Sequence, residues 1–317
     1  MSRMVRVSAM SCPPPVPELA GGYGACVAEV IRFWEYSLEK VLPDQPDLIV
    51  LPECCDLSNS LTPRQKLDFL EERGTRVQDA LARIAASRHV YIAYSSYARA
   101  EDGELRNMVR YLDPHGQVAG EYHKNHLVIT ENEELGVRYG TRADLIQTAF
   151  GKVGNAICFD LNFDQLRLRY AEQKPELMVF SSMYHGGLMQ PVWAYSCRSY
   201  LVSAVAGIGC QMFSPLGELL KHSTNYFPYM TADINLDYVP VHLDFNWPKL
   251  DAAKAKYGTS IQIQDPGFLA PVLLTSETDE FSAWDVVREF DIEPLDDYFA
   301  RSLRHRQEPG RMEGQES

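Results

Sequence analysis

The sequence lacks the features that mark membrane-spanning, secreted and nucleic-acid-binding proteins. Its formal net charge is −13 over 317 residues, and no basic stripe interrupts the acidity, which argues against nucleic acid or an anionic membrane as a partner. The longest weakly polar run, residues 200–213, falls short of the roughly 20 apolar residues that span a bilayer. Residues 1–10 contain two arginines but no apolar core of a signal peptide. We therefore expect a cytoplasmic protein that binds neither membrane nor nucleic acid.

Disulfide and zinc-finger patterns are also missing. The cysteines are odd in number and show neither C-x-x-C nor His/Cys zinc spacing. They are Cys12, Cys26, Cys54, Cys55, Cys158, Cys197 and Cys210. In a reducing compartment all of them should be free thiols, so position along the chain must decide which one is reactive.

What is present is the pattern of a layered α/β protein. Hydrophobic residues make up 45% of the chain, enough for a sizeable core in one large or two moderate domains. Short apolar runs at 47–51, 90–96 and 177–182 are typical of strands buried on both faces. Helical periodicity at 23–41 and 62–87 alternates with them. The alternation predicts an α/β fold in which two sheets pack face to face with helices outside.

The last part of the chain differs in composition from about residue 238. Short helices are predicted at 252–257 and 283–289, and the strongly polar end, from about residue 307, is predicted to be disordered. We therefore divide the chain into a domain at 1–245 and a C-terminal extension at 246–317. The extension packs either on a partner subunit or on its own core, and the sequence does not decide between them.

Three chemically active side chains occupy equivalent positions at the ends of predicted strands. Glu53 follows the run 47–51, Lys124 follows the second strand of a predicted hairpin, and Cys158 stands where a strand gives way to a helix that begins near residue 162. Open α/β sheets place their ligand sites at such strand ends. A cysteine there has a backbone N–H and a helix start close by, which favour a thiolate or a developing oxyanion. Each residue alone would be ordinary, but their shared placement predicts a catalytic cluster.

The segments around these residues resemble the signature segments of the nitrilase superfamily, the carbon–nitrogen hydrolases. The segments are Leu51-Pro52-Glu53, Tyr122-His123-Lys124-Asn125-His126-Leu127 and Ile157-Cys158-Phe159-Asp160-Leu161-Asn162-Phe163. Their order and separations also fit, and the resemblance covers roughly residues 4–240. It implies the four-layer αββα sandwich of that family, paired into a homodimer or a higher homo-oligomer.

The chemistry explains why these residue types occur together. Glu53 takes the thiol proton as Cys158 attacks and later gives a proton to the departing nitrogen. Lys124 is a fixed cation that binds the oxyanion together with the N–H of Phe159. Water activated by Glu53 then hydrolyses the thioester on Cys158. This scheme requires no metal and no organic cofactor.

The family usually adds a second glutamate in the loop after the lysine, here the predicted loop 128–141. Glu131, Glu133 and Glu134 all qualify, and their distance from Lys124 along the chain does not decide among them. Family members commonly have a glycine seven residues after this glutamate. Gly140 lies seven residues after Glu133, so we favour Glu133 as a substrate-binding residue.

The cysteine segment also bears on the substrate. Cys158-Phe159-Asp160 is closer to the Cys-Tyr-Asp form of amidase-like branches than to the Cys-Trp-Glu-His form of nitrilases, so the resemblance implies a small non-peptide amide as substrate. Tyr184 and His185 fall where the family's substrate pocket is usually lined. Alternatives stay open: a nitrilase or N-carbamoyl amide hydrolase on the same triad, acyl transfer to an amine, and a non-catalytic binding protein that keeps the fold.

Overall fold

The computed structural model describes residues 2–313, which form two compact units: 5–234, and 235–313 together with residues 2–4. The helices are α1 Gly22–Leu38, α2 Pro63–Arg73, α3 Arg76–Arg88, α4 Ile129–Glu133, α5 Asp164–Gln173, α6 Met189–Cys197, α7 Trp247–Tyr257, α8 Ala283–Glu289 and α9 Leu295–Arg306. Within residues 2–313, none of these helices is both long and apolar enough to cross a membrane.

The strands of the first unit are β1 Met4–Met10, β2 Leu48–Val50, β3 Tyr91–Arg99, β4 Leu105–Leu112, β5 Val118–His123, β6 Ile146–Gln147, β7 Lys152–Ile157, β8 Leu177–Ser182, β9 Tyr200–Val205, β10 Gly209–Phe213, β11 Leu219–His222 and β12 Tyr229–Asn235. Those of the second unit are β13 Tyr238–His242, β14 Ile261–Gln264 and β15 Pro271–Ser276.

The first unit contains two sheets built on the same plan. One has the order β12-β1-β2-β3-β4-β5 and the other β11-β10-β9-β8-β7-β6. Three adjacent strands in each are parallel, β1 to β3 and β7 to β9, and antiparallel strands follow them. The Tyr111 hydroxyl on β4 donates to Asn155 Oδ1 on β7 at 2.8 Å, and Ser181 Oγ on β8 donates to the Leu51 carbonyl at 2.8 Å. The two sheets therefore pack face to face.

Helices cover the outer face of each sheet. The apolar stripe of α1 buries Val27, Val30 and Trp34 in one core with Ile49 of β2 and Ile92 of β3. On the other side, α5 and α6 bring Tyr170 and Trp193 into the interior. The order helix, sheet, sheet, helix is the predicted αββα sandwich.

Two elements differ from the pattern read in the sequence. The helical stretch 62–87 is broken at Gly74, whose φ of 51° lies in the left-handed region that ends helices. Thr62 and Gln65 form a capping box that fixes the start of α2. The predicted loop 128–141 contains the short helix α4, which determines which acidic side chain faces inward.

The second unit has its own sheet and core. Strands β13 and β14 flank β15 in an antiparallel sheet, and Val241, Leu274 and Val286 are among its buried residues. The N-terminus takes part: the Ser2 N–H donates to the Thr278 carbonyl at 2.7 Å, and the Leu236 N–H to the Arg3 carbonyl at 2.9 Å.

The boundary expected at residue 245 falls inside this unit, because β13 pairs with β15 rather than with the sheets of the first unit. Helix α9 was not predicted. Residues 307–313 follow it as turns. The remainder of the predicted disordered tail, 314–317, lies outside the described residues.

Candidate active site

The strand ends bring Glu53, Lys124 and Cys158 into one cluster. Glu53 lies three residues beyond β2 and is 4% exposed, while Lys124 directly follows β5 and is 1% exposed. Lys124 Nζ donates to Glu53 Oε1 at 2.8 Å. Cys158 directly follows β7, and Glu53 is close enough to act on its thiol. The three predicted residues are therefore neighbours in the folded chain.

The backbone of Cys158 is held in an uncommon conformation. Its φ of 48° lies in the left-handed region, which non-glycine residues seldom occupy. Such positions persist where the surrounding structure fixes them, and they cluster at functional sites. The geometry places the thiol at a sharp turn between β7 and a 3-10 helix at Cys158–Asn162.

Asp160 fixes this turn to the segment that carries Lys124. Its Oδ2 accepts from the Ile157 N–H at 3.0 Å and from the Tyr122 hydroxyl at 2.7 Å. Its Oδ1 accepts from the His126 N–H at 2.8 Å. Because Tyr122 and His126 flank the lysine, Asp160 ties the cysteine turn to the lysine segment.

The second glutamate against the lysine is Glu131, and the choice of Glu133 was wrong. Lys124 Nζ donates to Glu131 Oε2 at 2.7 Å, whereas the Glu133 side chain is exposed. Both residues lie on α4, where positions two apart point in directions about 200° apart, so only one of them can face the lysine.

The glycine signal has a different origin. A Cβ on Gly140 would lie 2.2 Å from the His123 carbonyl oxygen, and the Gly140 N–H donates to the Lys124 carbonyl at 2.7 Å. Glycine is thus required by close packing against the lysine segment. Its spacing from a glutamate carried no information about which acid faces inward.

Two residues that were not predicted from the sequence complete the cluster, Asn107 on β4 and Tyr97 on β3. Asn107 Nδ2 donates to Glu53 Oε1 at 2.9 Å and to Glu131 Oε1 at 2.8 Å. The Tyr97 hydroxyl donates to Glu131 Oε1 at 2.9 Å. Tyr97 and Asn107 are directly opposite in the antiparallel pairing of β3 and β4. The hairpin register was the one signal that would have found them.

The charges of the cluster determine its protonation. Burial alone would lower the pKa of Lys124, but the charges of Glu53 and Glu131 outweigh it and the pKa is raised. Burial raises the pKa of Glu131, yet Lys124 and the hydrogen-bond donors hold it below its usual value. Burial, followed by the Glu53 charge, raises the pKa of Cys158 to about 12, although Lys124 opposes the shift. A neutral thiol therefore rests beside a carboxylate, and it needs a base when it reacts.

The remaining predicted residues differ in their exposure and in how close they lie to the Cys158 thiol. Phe159 follows the cysteine and is 37% exposed. Tyr184 is half-buried, its hydroxyl donates to Asn162 Oδ1 at 3.0 Å, and burial raises its pKa although that hydrogen bond opposes the shift. His185 is exposed, and its Nδ1 accepts the Gly187 N–H of the same loop at 3.0 Å. Phe159 and Tyr184 thus lie near the thiol, whereas the described hydrogen bond of the His185 side chain is within its own loop.

Known proteins share this architecture. The family model described as carbon-nitrogen hydrolase matches residues 25–237. The omega-amidase NIT2 of Xenopus tropicalis is 23% identical over 216 residues, which cover 61% of this chain and 78% of that protein.

Solved structures are similar as well. Nit3 of Saccharomyces cerevisiae, a member of branch 10 of the nitrilase superfamily, has a TM-score of 0.61 and 17% identity, covering 74% of this chain and 90% of the other. A double mutant of the amidase from Nesterenkonia sp. AN1, in complex with acrylamide, has a TM-score of 0.64 and 14% identity, covering 73% and 91%. A single mutant of that amidase shows acrylamide added to its active-site cysteine, with a TM-score of 0.61 and 15% identity, covering 73% and 93%. These likenesses confirm the nitrilase-type fold.

Proposed function

The chain belongs to the carbon–nitrogen hydrolase family of enzymes, and on this premise we propose that it hydrolyses a small non-peptide amide through a thioester on Cys158. The observation that carries the proposal is the contact of one buried carboxylate, Glu53, with both the Lys124 ammonium and the Cys158 thiol. A nucleophile, a base and a fixed cation are the groups that cleavage of an unreactive amide requires.

In the acylation step, Glu53 accepts the thiol proton as Sγ of Cys158 forms a bond to the amide carbon. The carbonyl oxygen becomes an oxyanion, which Lys124 and the Phe159 N–H bind. Donors of this kind each lower the barrier by about 3–4 kcal/mol. When the tetrahedral intermediate collapses, the C–N bond breaks and Glu53 returns its proton to the departing ammonia or amine.

In the deacylation step, water attacks the thioester while Glu53 takes one of its protons. The carbon–sulfur bond breaks, the carboxylic acid product leaves, and the thiol regains its proton. Glu131 does not touch the reacting atoms in this scheme. It balances the charge of Lys124 and fixes the position of its ammonium group.

An amide is favoured over a nitrile or an N-carbamoyl compound by the segment Cys158-Phe159-Asp160. The similarity to an omega-amidase and to an amidase whose active-site cysteine takes up acrylamide supports the same choice. Phe159 and Tyr184 are the side chains we assign to the substrate pocket, with His185 at its outer edge.

The test is ammonia release from a panel of small amides, nitriles and N-carbamoyl compounds, combined with intact-mass analysis of the acylated enzyme. We expect turnover of amides, a mass increase equal to the acyl group, and loss of both in Cys158→Ala. Turnover of nitriles alone would contradict the amide assignment. An active Cys158→Ala variant would contradict the cysteine mechanism, and added amines that divert the product would identify an acyltransferase.

We further propose that the enzyme is a cytoplasmic homodimer or higher homo-oligomer, as its resemblance to the family implies. All seven cysteines, which lie within the described residues, are free thiols, which fits a reducing compartment. Light scattering coupled to size-exclusion chromatography measures the mass directly, and a value near the 35.9 kDa of one chain would contradict the oligomer.

A further inference from the structure

Glu53 and Glu131 contact the same ammonium, but their oxygens are not equally occupied. Glu131 Oε1 accepts from Asn107 Nδ2 at 2.8 Å and from the Tyr97 hydroxyl at 2.9 Å. Its Oε2 accepts from Lys124 Nζ at 2.7 Å and from the Val128 N–H at 2.9 Å. A carboxylate has about four acceptor positions, so Glu131 has none left to take a proton from substrate or thiol.

Glu53 keeps one position open. Its Oε1 accepts from Lys124 Nζ at 2.8 Å and from Asn107 Nδ2 at 2.9 Å, which fills that oxygen. Its Oε2 accepts the Met183 N–H at 3.1 Å. One lone pair of Oε2 therefore remains for the thiol proton of Cys158, which lies within the influence of the Glu53 charge.

Asn107 is the group that links the two carboxylates. It is 1% exposed, and both protons of its amide are directed at ionised oxygens. Its Oδ1 has no hydrogen-bond partner among the described residues. Rotating the amide by 180° would direct that oxygen at two carboxylates, so the orientation is set by the glutamates. The Asn107 carbonyl also accepts the Lys124 N–H at 2.8 Å.

We propose that Asn107 and Tyr97 are positioning residues that give the two glutamates different roles. Together they fill Oε1 of Glu131, which becomes a fixed counter-ion of Lys124, and Asn107 with Lys124 occupies one oxygen of Glu53 so that the other is the proton acceptor for Cys158. This inference rests on the proposed cysteine mechanism. Besides Lys124, Tyr97 and Cys158, the buried thiol of Cys54, adjacent to Glu53, is a titratable group close to the carboxylates.

The experiment compares Asn107→Asp, which has nearly the same shape but no amide donor, with Tyr97→Phe, which removes one donor from Glu131. We expect kcat for an amide to fall about 10- to 100-fold in Asn107→Asp, the range for losing a hydrogen bond to a charged group, with KM changed less than about threefold. Fewer donors destabilise an ionised carboxylate, so the acidic limb of the kcat/KM profile moves to higher pH. Tyr97→Phe shows the same changes on a smaller scale, about three- to tenfold in kcat.

Tyr111→Phe is the matched control. Tyr111 is also a buried tyrosine of the β3–β4 hairpin, but its hydroxyl donates to Asn155 on β7. Tyr111→Phe removes the same phenolic oxygen as Tyr97→Phe, and we expect neither kcat nor the acidic limb of the kcat/KM profile to change. Thermal melts establish that each variant is folded, and if Asn107→Asp does not fold, Tyr97→Phe decides the question.

A second readout needs no substrate. In an NMR titration of ¹³C-labelled glutamate carboxyl groups, with Glu131→Gln used for assignment, the Glu131 signal should titrate at higher pH in Asn107→Asp and Tyr97→Phe than in the wild type. Folded variants whose kcat, acidic limb and Glu131 titration match the wild type would overturn the inference. A wild type that hydrolyses no amide yet shows the expected titrations would instead overturn the proposed function alone.

Discussion

Two buried ion clusters each contain a carboxylate from the segment just after β2, Asp56 in one and Glu53 in the other. They differ in net charge. In one, Arg73 Nη1 meets Asp56 Oδ2 at 2.6 Å, one cation against one anion, and Ser96 and Tyr94 also donate to the carboxylate. In the other, Lys124 stands between two carboxylates beside a thiol. The first cluster balances one cation with one anion, and its carboxylate accepts from three side chains, whereas the second carries excess negative charge and an open acceptor. A buried ion pair whose charges balance stabilises the fold. A buried cluster with an unbalanced charge and a free acceptor can take part in chemistry.

Glu53→Gln is the substitution that should distinguish the two clusters most clearly, because it should affect activity and not stability. We expect amide turnover to fall by at least about 10³-fold, because the base of both steps is lost. Stability should change little, since the amide keeps most of the shape and the acceptor oxygen. Steady-state kinetics and thermal melts of the same sample measure both. Cys12→Ala, which alters another partly buried thiol, is the control and should keep full activity. A Glu53→Gln variant that is inactive only because it is unfolded would contradict the separation.

The opposite outcome is expected for Arg73→Met. Removing one partner of a buried pair leaves Asp56 uncompensated and should lower the free energy of unfolding by about 3–5 kcal/mol. The folded fraction should keep kcat within a few-fold of the wild type. Urea unfolding at neutral pH gives the stability. Arg76→Met breaks an exposed pair with Glu72 and should cost less than about 1 kcal/mol. Equal losses in the two variants would mean that burial does not distinguish these ion pairs.

Glu131→Gln and Glu133→Gln form a matched pair on the same helix. The first removes a charge that contacts Lys124 and should lower kcat about tenfold or more, the scale of a charge-assisted hydrogen bond. The second alters an exposed side chain and should leave kcat within twofold. Initial rates at saturating amide make the comparison. If the larger loss follows Glu133→Gln, the assignment of the second glutamate is reversed.

The smallest effect concerns acid stability. Since the pKa of Glu131 is lowered in the folded protein, its contribution is present above the ordinary value of 4.5 and is lost as the pH falls through the folded value. A lowering of one unit corresponds to about 1.4 kcal/mol. Urea unfolding at several pH values from 7 down to 3 should therefore give a shallower decline in Glu131→Gln than in the wild type. Parallel curves would show that Glu131 is not held as an anion by the cluster.

The sequence predicted the three strand-end residues because each follows a local signal: a short apolar run before Glu53 and Cys158, and the second strand of a hairpin before Lys124. Glu131 required the phase of α4, a five-residue helix in a polar stretch with no apolar stripe. Asn107 and Tyr97 required the register of a hairpin, which a shift of one residue would reverse. The sheet of the second unit was missed because β13 pairs with β15, some thirty residues later in the chain, and no local pattern reports a partner that distant.

Because residues 2–4 belong to the second unit, the chain passes between the two units at two points. The chain crosses from one unit to the other at 4/5 and again at 234/235, so the second unit is not a tail on a single linker. A cut at 234/235 detaches residues 235–313 covalently, but Ser2 and Arg3, which stay attached to the first unit, keep their hydrogen bonds to Thr278 and Leu236. Deleting the C-terminal part alone also takes from Ser2 and Arg3 their hydrogen-bond partners, Thr278 and Leu236. A truncation that is meant to keep the second unit intact must therefore retain both residues 2–4 and the segment from residue 235 onward.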